Sequence, residues 1–354
     1  MRRLCIVGLV VRAGASDRRL AGRDHPRVVH LAAVAGALAL GGCAWDTPQS
    51  TLIARSDYAR TILDLYGIVT WATILIALVV FVGLAWVLAR YRHRPEAPLP
   101  RQIRGHTLLE IAWTIAPALV LLVIAIPTIQ VIFRTQPATA PRGALEVIVR
   151  GWQWWWEFRY PTLAVVTANE LYLPLGRPVR LVLEGPDVIH SFWVPQLGGK
   201  RDVVPGRINH ISLTPEAVGE YSGQCAEFCG VSHANMGLRV IVVTPEEFDG
   251  WVAAQRAPPA EPEGAAAEGK AVYAALACVG CHTIAGVSAG ALGPDLTHFG
   301  SRRTVAAGLL PNTPDTLAAW LRDPQAVKPG AKMPNLGLSE AQARAVATYL
   351  LSLK

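Results

Sequence analysis

Two long stretches of the chain carry no charge. The 25 residues between Asp64 and Arg90 (LYGIVTWATILIALVVFVGLAWVLA) and the 23 between Glu110 and Arg134 (IAWTIAPALVLLVIAIPTIQVIF) are apolar almost throughout. Roughly 20 such residues are enough for a helix to cross a hydrocarbon core. Buried core helices would need polar interruptions that neither run shows, so spanning helices are predicted over 65–89 and 111–133. Pro117 and Pro127 fit the second span, because neighbouring helices can satisfy the backbone groups that proline frees. Beyond the connector RTQPATAPRGA the apolar period changes to two. In PVRLVLE, Val179, Leu181 and Leu183 alternate with Arg180, Val182 and Glu184, while Gly185-Pro186 and Pro205-Gly206 punctuate the runs. A β-sandwich is predicted across residues 144–250. Within it GWQWWWEFRY, read as one strand, sets Trp152, Trp154 and Trp156 on one face and Trp155 on the other. Residues 254–268 are rich in Pro, Ala and Glu with no apolar period, which describes an extended linker. A further unit follows over 269–354.

Charge orients this arrangement. The segment joining the spans, RYRHRPEAPLPRQIRGH, holds Arg90, Arg92, Arg94, Arg101 and Arg104, which places it in the cytoplasm and everything after Arg134 outside. The N-terminus must then be exported as well. Residues 1–42 offer an Arg-rich stretch and a 13-residue apolar run from Val28 to Leu40, too short to span. LGGC at its end resembles a bacterial lipoprotein cleavage box, which would make Cys43 the lipidated first residue; an uncleaved or unlipidated Cys43 is the alternative. The expected segments are therefore a signal over 1–42, an exported stretch over 43–64, a transmembrane hairpin over 65–133, a sandwich over 134–253, the linker, and the last unit. The formal charge of +7 would suggest nucleic acid, but from Arg134 onward 19 basic side chains face 19 acidic ones. A binder of the phosphate backbone is excluded.

The sandwich contains CAEFCGVSHANM, with Cys225, Glu227, Cys229, His233 and Met236, and His190 lies 35 residues before Cys225. Thiolate, imidazole and thioether form a soft ligand set that selects copper over hard cations. One cysteine more than a blue-copper site needs is present. Two thiolates four positions apart could bridge two copper ions, each with one His, with Met236 and a backbone carbonyl as weak outer ligands. In an exported protein a CxxxC pair also reads as a disulfide. Both methionines other than the initiator, Met236 and Met333, fall in metal-type motifs, and zinc would want four Cys or His ligands without a Met.

In the last unit CVGCH gives Cys278 and Cys281 the spacing that takes two thioethers to a haem, with His282 as proximal iron ligand. A redox disulfide is the other reading of CxxC; the following His and the exported location favour haem. Met333 in AKMPNLGL is the candidate second axial ligand and His298 its competitor. KMP, some fifty residues after CxxCH and followed by a helix start at Ser339 and Gln342, resembles the class I cytochrome c pattern. Gly269 and Tyr273, with Tyr349 and Leu350, resemble the contact between terminal helices in that family, and Pro294 matches the residue packed beside its haem.

Along residues 50–250 the chain resembles subunit II of the haem-copper cytochrome c oxidases: two spans, then DVIHSFWVP, then CxExCxxxHxxM. The resemblance implies a cupredoxin-like sandwich and a dinuclear CuA centre of two copper ions. Its ligands would be His190, Cys225, the Glu227 carbonyl, Cys229, His233 and Met236. It also implies a magnesium ion shared with subunit I at the Glu227 carboxylate, which from the residues alone reads equally as a solvated loop acid. Trp154, in GxQWxW, would be where electrons enter the copper domain; core stacking accounts for the other tryptophans. Glu110, three residues before Trp113, would guard the mouth of a proton channel in subunit I; by its position alone it is an interfacial carboxylate.

The whole is expected to be a non-catalytic electron-transfer subunit of a respiratory terminal oxidase, with a tethered class I cytochrome c as an all-α unit. Electrons would pass from haem c to copper and on to haem in subunit I, where oxygen is reduced to water with proton translocation. No catalytic residue is expected on this chain, because neither span holds a His to ligate haem or a third copper. The implied partners are subunits I and III, the lipid bilayer, and a soluble or membrane cytochrome c or quinol-oxidising complex as donor. The implied location is a bacterial inner membrane with both metal domains on its outer face. A copper chaperone would have no use for His233, Met236, the second span or the haem, and nitrous oxide reduction would need a His-rich cluster that nine histidines scarcely permit. A nitric oxide reductase subunit with the same copper loop stays open, because its decisive metals would sit in the partner.

Overall fold

The computed structural model describes residues 47–92 and 102–354. The expected signal segment, Cys43 and most of the basic loop expected in the cytoplasm lie outside the described residues. Two helices long and apolar enough to cross a membrane are present among those described, α1 (Asp57–Arg90) and α2 (Thr107–Thr135). Both are longer than the uncharged runs. Ser56 caps α1, its Oγ accepting from the Ala59 amide at 3.0 Å, and Asp57 lies in the positive first turn. His106 caps α2 with its ring, and Glu110 in the first turn accepts from the His106 amide at 3.2 Å. Arg90 and Arg134 sit in the last turns, where the helix dipole favours cations. Apolar side chains such as Trp71, Phe81, Trp86, Leu121 and Ile126 point outward, the surface a bilayer or partner helices would cover.

Ten strands follow: β1 (Leu145–Trp152), β2 (Trp155–Tyr160), β3 (Val165–Ala168), β4 (Glu170–Pro174), β5 (Val179–Glu184), β6 (His190–Trp193), β7 (Arg201–Val203), β8 (Asn209–Leu213), β9 (Gly219–Cys225) and β10 (Gly237–Val243). They form two five-stranded sheets, ordered β3-β2-β1-β5-β8 and β4-β10-β9-β6-β7. Val147, Val149, Leu181 and Leu183 of the first sheet and Leu171, Leu173, Val240 and Val242 of the second share one apolar core. Leu145, Val147 and Val149 are buried at alternate positions because a strand turns every second side chain inward. GWQWWWEFRY is not one strand. It reverses at Gln153 and Trp154, so that Trp152 pairs with Trp155 and their rings stack at 6.0 Å. The two-residue turn lifts Trp154 out of the alternation and leaves Trp156 in the core.

α3 (Pro245–Arg256), held by a capping box between Thr244 and Glu247, closes the sandwich by stacking Trp251 on Tyr172 at 4.6 Å. It consumes the first residues of the predicted linker, and α4 (Ala265–Ala275) consumes the last, so the irregular connector shrinks to Ala257–Gly264. The reason is local: the box starts a helix that Ala253, Ala254 and Arg256 propagate well, and Ala265–Ala267 do the same for the next.

The last unit contains α4, the single turn α5 (Cys278–Cys281), two short hairpins, α6 (Pro314–Arg322), α7 (Pro324–Val327) and α8 (Glu340–Ser352). Ser339 and Gln342 form a capping box on α8. α4 and α8 cross at Gly269, where a Cβ would lie 2.0 Å from the Ala345 carbonyl oxygen, and Tyr273 meets Tyr349 beside it at 5.6 Å. Glycine lets the backbones approach that closely.

Candidate functional site

β9 ends at Cys225, and the turn that follows returns through a short 3-10 helix at His233–Asn235 to start β10. The Cys225 amide donates to the Met236 carbonyl at 2.9 Å, closing the loop at its base. β6 pairs with β9 so that Phe192 lies opposite Cys225, which brings His190 under the same loop. The donor atoms then converge. Cys225 Sγ lies 3.8 Å from Cys229 Sγ, 3.8 Å from His190 Nδ1 and 3.3 Å from the Glu227 carbonyl oxygen. Cys229 Sγ lies 3.6 Å from His233 Nδ1 and 3.9 Å from Met236 Sδ. Both thiols are free and buried, so the disulfide reading does not describe this fold. Donor atoms spaced this way suit first-row metals, whose bonds to nitrogen and sulfur are about 2.0–2.3 Å. Two thiols with two imidazoles, one thioether and one carbonyl around them fit a copper pair.

Asp187 was not singled out by its sequence, yet it fixes the site. It accepts from His190 Nε2 at 2.9 Å, which turns Nδ1 toward Cys225. Burial disfavours the His190 imidazolium, but the bonds to Asp187 and Cys225 outweigh it and raise the pKa. Burial also works against the Asp187 carboxylate, and the His190 ring with the Gln153 and Val188 amides overcomes it, holding Asp187 below its usual value. Of the two thiols, Cys225 is strongly lowered by its contact with Cys229, which the same contact raises. A thiolate already stabilised is a ready metal ligand. The Glu227 side chain is exposed at the rim, while its carbonyl faces in.

Trp154 packs over this loop. Its Nε1 donates to the Cys229 carbonyl at 3.0 Å, Gln153 Nε2 donates to the same oxygen at 2.7 Å, and a Cβ at Gly230 would lie 3.0 Å from the indole. Glu110 stands at the far end of α2, roughly 37 Å from Thr135 at the helical rise of about 1.5 Å per residue, so it belongs to no metal cluster.

In the last unit α5 sets Cys278 and Cys281 three positions apart, on one face, with His282 directly following. His282 Nδ1 donates to the Pro294 carbonyl at 2.8 Å, leaving Nε2 with its lone pair for iron. A Cβ at Gly293 would lie 2.6 Å from the His282 ring, so the ring is seated against bare backbone. Met333 and Cys278 pack against the same apolar cluster. The Met333 loop is held by Gln325 Nε2, which donates to the Ala331 and Met333 carbonyls at 2.6 and 3.2 Å. These features fit a covalent haem. His298 is buried with Nδ1 unpaired among the described residues.

The same loop meets the copper site. Lys328 Nζ, 4% exposed, donates to the Trp154 carbonyl at 2.6 Å and to the Ala306 carbonyl at 3.3 Å. Ser232 Oγ donates to the Pro329 carbonyl at 2.6 Å. On the other side Glu170, 1% exposed, accepts from the Arg303 and Thr304 amides, both at 2.8 Å, and from the Thr304 hydroxyl at 2.9 Å. Arg303 pairs with Glu220 at 2.8 Å and Lys332 lies 3.9 Å from Asp187.

Comparison with known proteins identifies the three parts of the chain. Residues 53–131 match the family described as cytochrome C oxidase subunit II, transmembrane domain, residues 162–243 its periplasmic domain, and residues 266–354 cytochrome c. The chain is 38% identical to cytochrome c oxidase subunit 2 of Alkalihalophilus pseudofirmus over 90% of its own length and 94% of the relative's. It is 34% identical to that of Bacillus subtilis, over 93% and 98%. A solved structure, the periplasmic domain of subunit II of cytochrome oxidase from Bradyrhizobium japonicum, is 31% identical and covers 33% of this chain and 97% of its own, with a TM-score of 0.32.

Proposed function

Because the chain belongs to the cytochrome c oxidase subunit II family and ends in a cytochrome c unit, we propose that it is the electron-input subunit of a respiratory terminal oxidase. Electrons arrive at the C-terminal unit, cross to the sandwich, and leave for haem in subunit I, where oxygen is reduced to water with proton translocation. A covalent haem c and a dinuclear copper centre, when bound, supply the one-electron steps.

Each step is assigned to residues of this chain. Cys278 and Cys281 would tether the haem, and His282 and Met333 would ligate its iron. His190, Cys225, Cys229, His233, Met236 and the Glu227 carbonyl hold two coppers. Trp154 is the contact between the two, because its indole bonds the Cys229 carbonyl while its own carbonyl receives Lys328 of the haem unit. The exposed Glu227 carboxylate is offered to a magnesium ion at the subunit I face. Glu110 stands at the cytoplasmic end of α2 for a proton path in subunit I. Subunit III and a cytochrome c or quinol-oxidising donor complete the system, in a bacterial inner membrane with the metal domains on its outer face.

The observation that carries this reading is the convergence of two imidazoles, one thioether and one carbonyl on two free, buried cysteine sulfurs 3.8 Å apart. Metal analysis with optical and EPR spectroscopy of the purified chain tests it. Two coppers and one covalent haem per chain are expected, with electrons added to the haem appearing at the copper. A copper-free chain with Cys225 bonded to Cys229 would overturn it. Purification of the partner subunit separates oxygen reduction from nitrogen-oxide reduction.

A further inference from the structure

The junction between the sandwich and the haem unit contains two buried charged groups that no metal site uses, Lys328 and Glu170. They lie on opposite partners: Lys328 belongs to the haem unit and reaches into the sandwich, while Glu170 belongs to β4 and reaches into the haem unit. A buried ammonium bonded only to carbonyls is costly, and its burial here lowers its pKa to about 7. Glu170 is likewise raised by burial, against the Thr304 hydroxyl, Arg302 and the two amides that oppose the shift. Such groups contribute little net attraction, but removing one leaves its partners buried and unsatisfied, so they fix geometry better than they add strength.

We propose that Lys328 is a positioning residue, one half of a two-point latch with Glu170 that seats the Met333 loop on Trp154 in a single register. Lys328 spans from the Ala306 carbonyl of its own unit to the Trp154 carbonyl, and the Trp154 indole continues the chain of hydrogen bonds to Cys229. Pro329 and Gly330, the next two residues, touch the copper loop themselves. The Pro329 carbonyl receives Ser232, and a Cβ at Gly330 would lie 3.0 Å from Val231 and 3.8 Å from the indole. The peptide that leads to Met333 is thereby laid against the indole. The latch rests on the proposal that both metal centres are bound, since its purpose is the electron crossing between them.

The test uses the full chain and needs no turnover. The Arg303 and Thr304 amides are protected by Glu170 only while the units are docked, whereas the Leu296 and Gly300 amides bond within the haem unit and report its folding. In Lys328→Met, exchange at Arg303 and Thr304 should quicken about tenfold or more, with Leu296 and Gly300 unchanged. Haem and copper spectra should stay unaltered while transfer of an electron from haem to copper slows at least tenfold. Unchanged exchange at Arg303 and Thr304 would overturn the latch, and so would quickened exchange with an unchanged transfer rate. Where Lys328→Met loosens Leu296 and Gly300 as well, Lys328→Gln, which keeps a donor too short to reach Trp154, is read by the same criteria. Failure of haem to reduce copper in the unaltered chain would count against the functional reading, while the exchange data would still decide the latch.

Discussion

Asp187 shows how one carboxylate sets the chemistry of its neighbours. By accepting from His190 Nε2 it presents Nδ1 to Cys225, and it lies 3.9 Å from Lys332 in the haem unit as well. In Asp187→Asn the ring keeps a neighbour but loses the anion that orients it and raises its basicity. Copper affinity should fall about 10–100-fold, measured by competition with a chelator, with the sandwich still folded. An unchanged affinity would show that packing alone holds the ring. The six donor groups that the fold gathers at this loop, proposed above to hold copper, were legible as a set because five crowd a 12-residue motif with its own chemistry and the sixth sits in a strand-like segment upstream. Asp187 and Lys328 were not, because each looks like an ordinary surface charge until the fold half-buries the first and buries the second. The Asp three positions before His190 was the only local signal.

At the scale of elements, uncharged length and period-two alternation carried most of the fold, and the two departures have separate causes. Alternation alone makes the Trp run one strand because it counts residues and not chain reversals; a two-residue turn inside an unbroken aromatic segment leaves that pattern intact. The irregular connector is shorter than composition suggests because Ala and Glu suit both an extended tether and a helix, and the capping box at Thr244 decides for helix. Tertiary contact was readable where a residue type was unusual for its place, as with Gly269 inside a helix. Its reason is the 2.0 Å approach a Cβ would make to the Ala345 carbonyl. Gly269→Ala should push α4 from α8 and destabilise the haem unit by about 1–3 kcal/mol, seen as a lower denaturation midpoint for the haem absorbance. A midpoint equal to that of the unaltered chain would show that the crossing has slack.

For the whole molecule the question is how firmly the haem unit stays on the sandwich, and pH and salt read different parts of that junction. Docked Lys328 releases its proton near pH 7, against 10.5 for a solvated lysine, so between those values the docked chain holds fewer protons than the undocked one. Docking must then strengthen as pH rises through that window. Glu170 acts oppositely and lower: raised above 4.5 by burial, it makes docking weaken as pH climbs from there through its raised value. The alkaline arm isolates Lys328. The Arg303 amide, corrected for base-catalysed exchange, should become better protected from pH 7 to pH 10 in the unaltered chain and stay flat in Lys328→Met. Salt reads the exposed pairs. The haem unit, residues 264–354, has eight basic and five acidic groups, and the sandwich, residues 134–253, ten and twelve. Their opposite signs meet at Arg303 with Glu220 and Lys332 with Asp187. Exposed pairs of this kind contribute roughly 0–1 kcal/mol each. Screening both, as the Debye length shrinks from about 10 Å at 0.1 M to about 3 Å at 1 M, can therefore slow haem-to-copper transfer by at most about thirty-fold. A few-fold slowing is expected, because Lys328 and Glu170 are shielded from salt. A rate that did not change at all would show that the surface charges do nothing to hold the units together, and a collapse beyond thirty-fold would show that the buried pair is not what holds them.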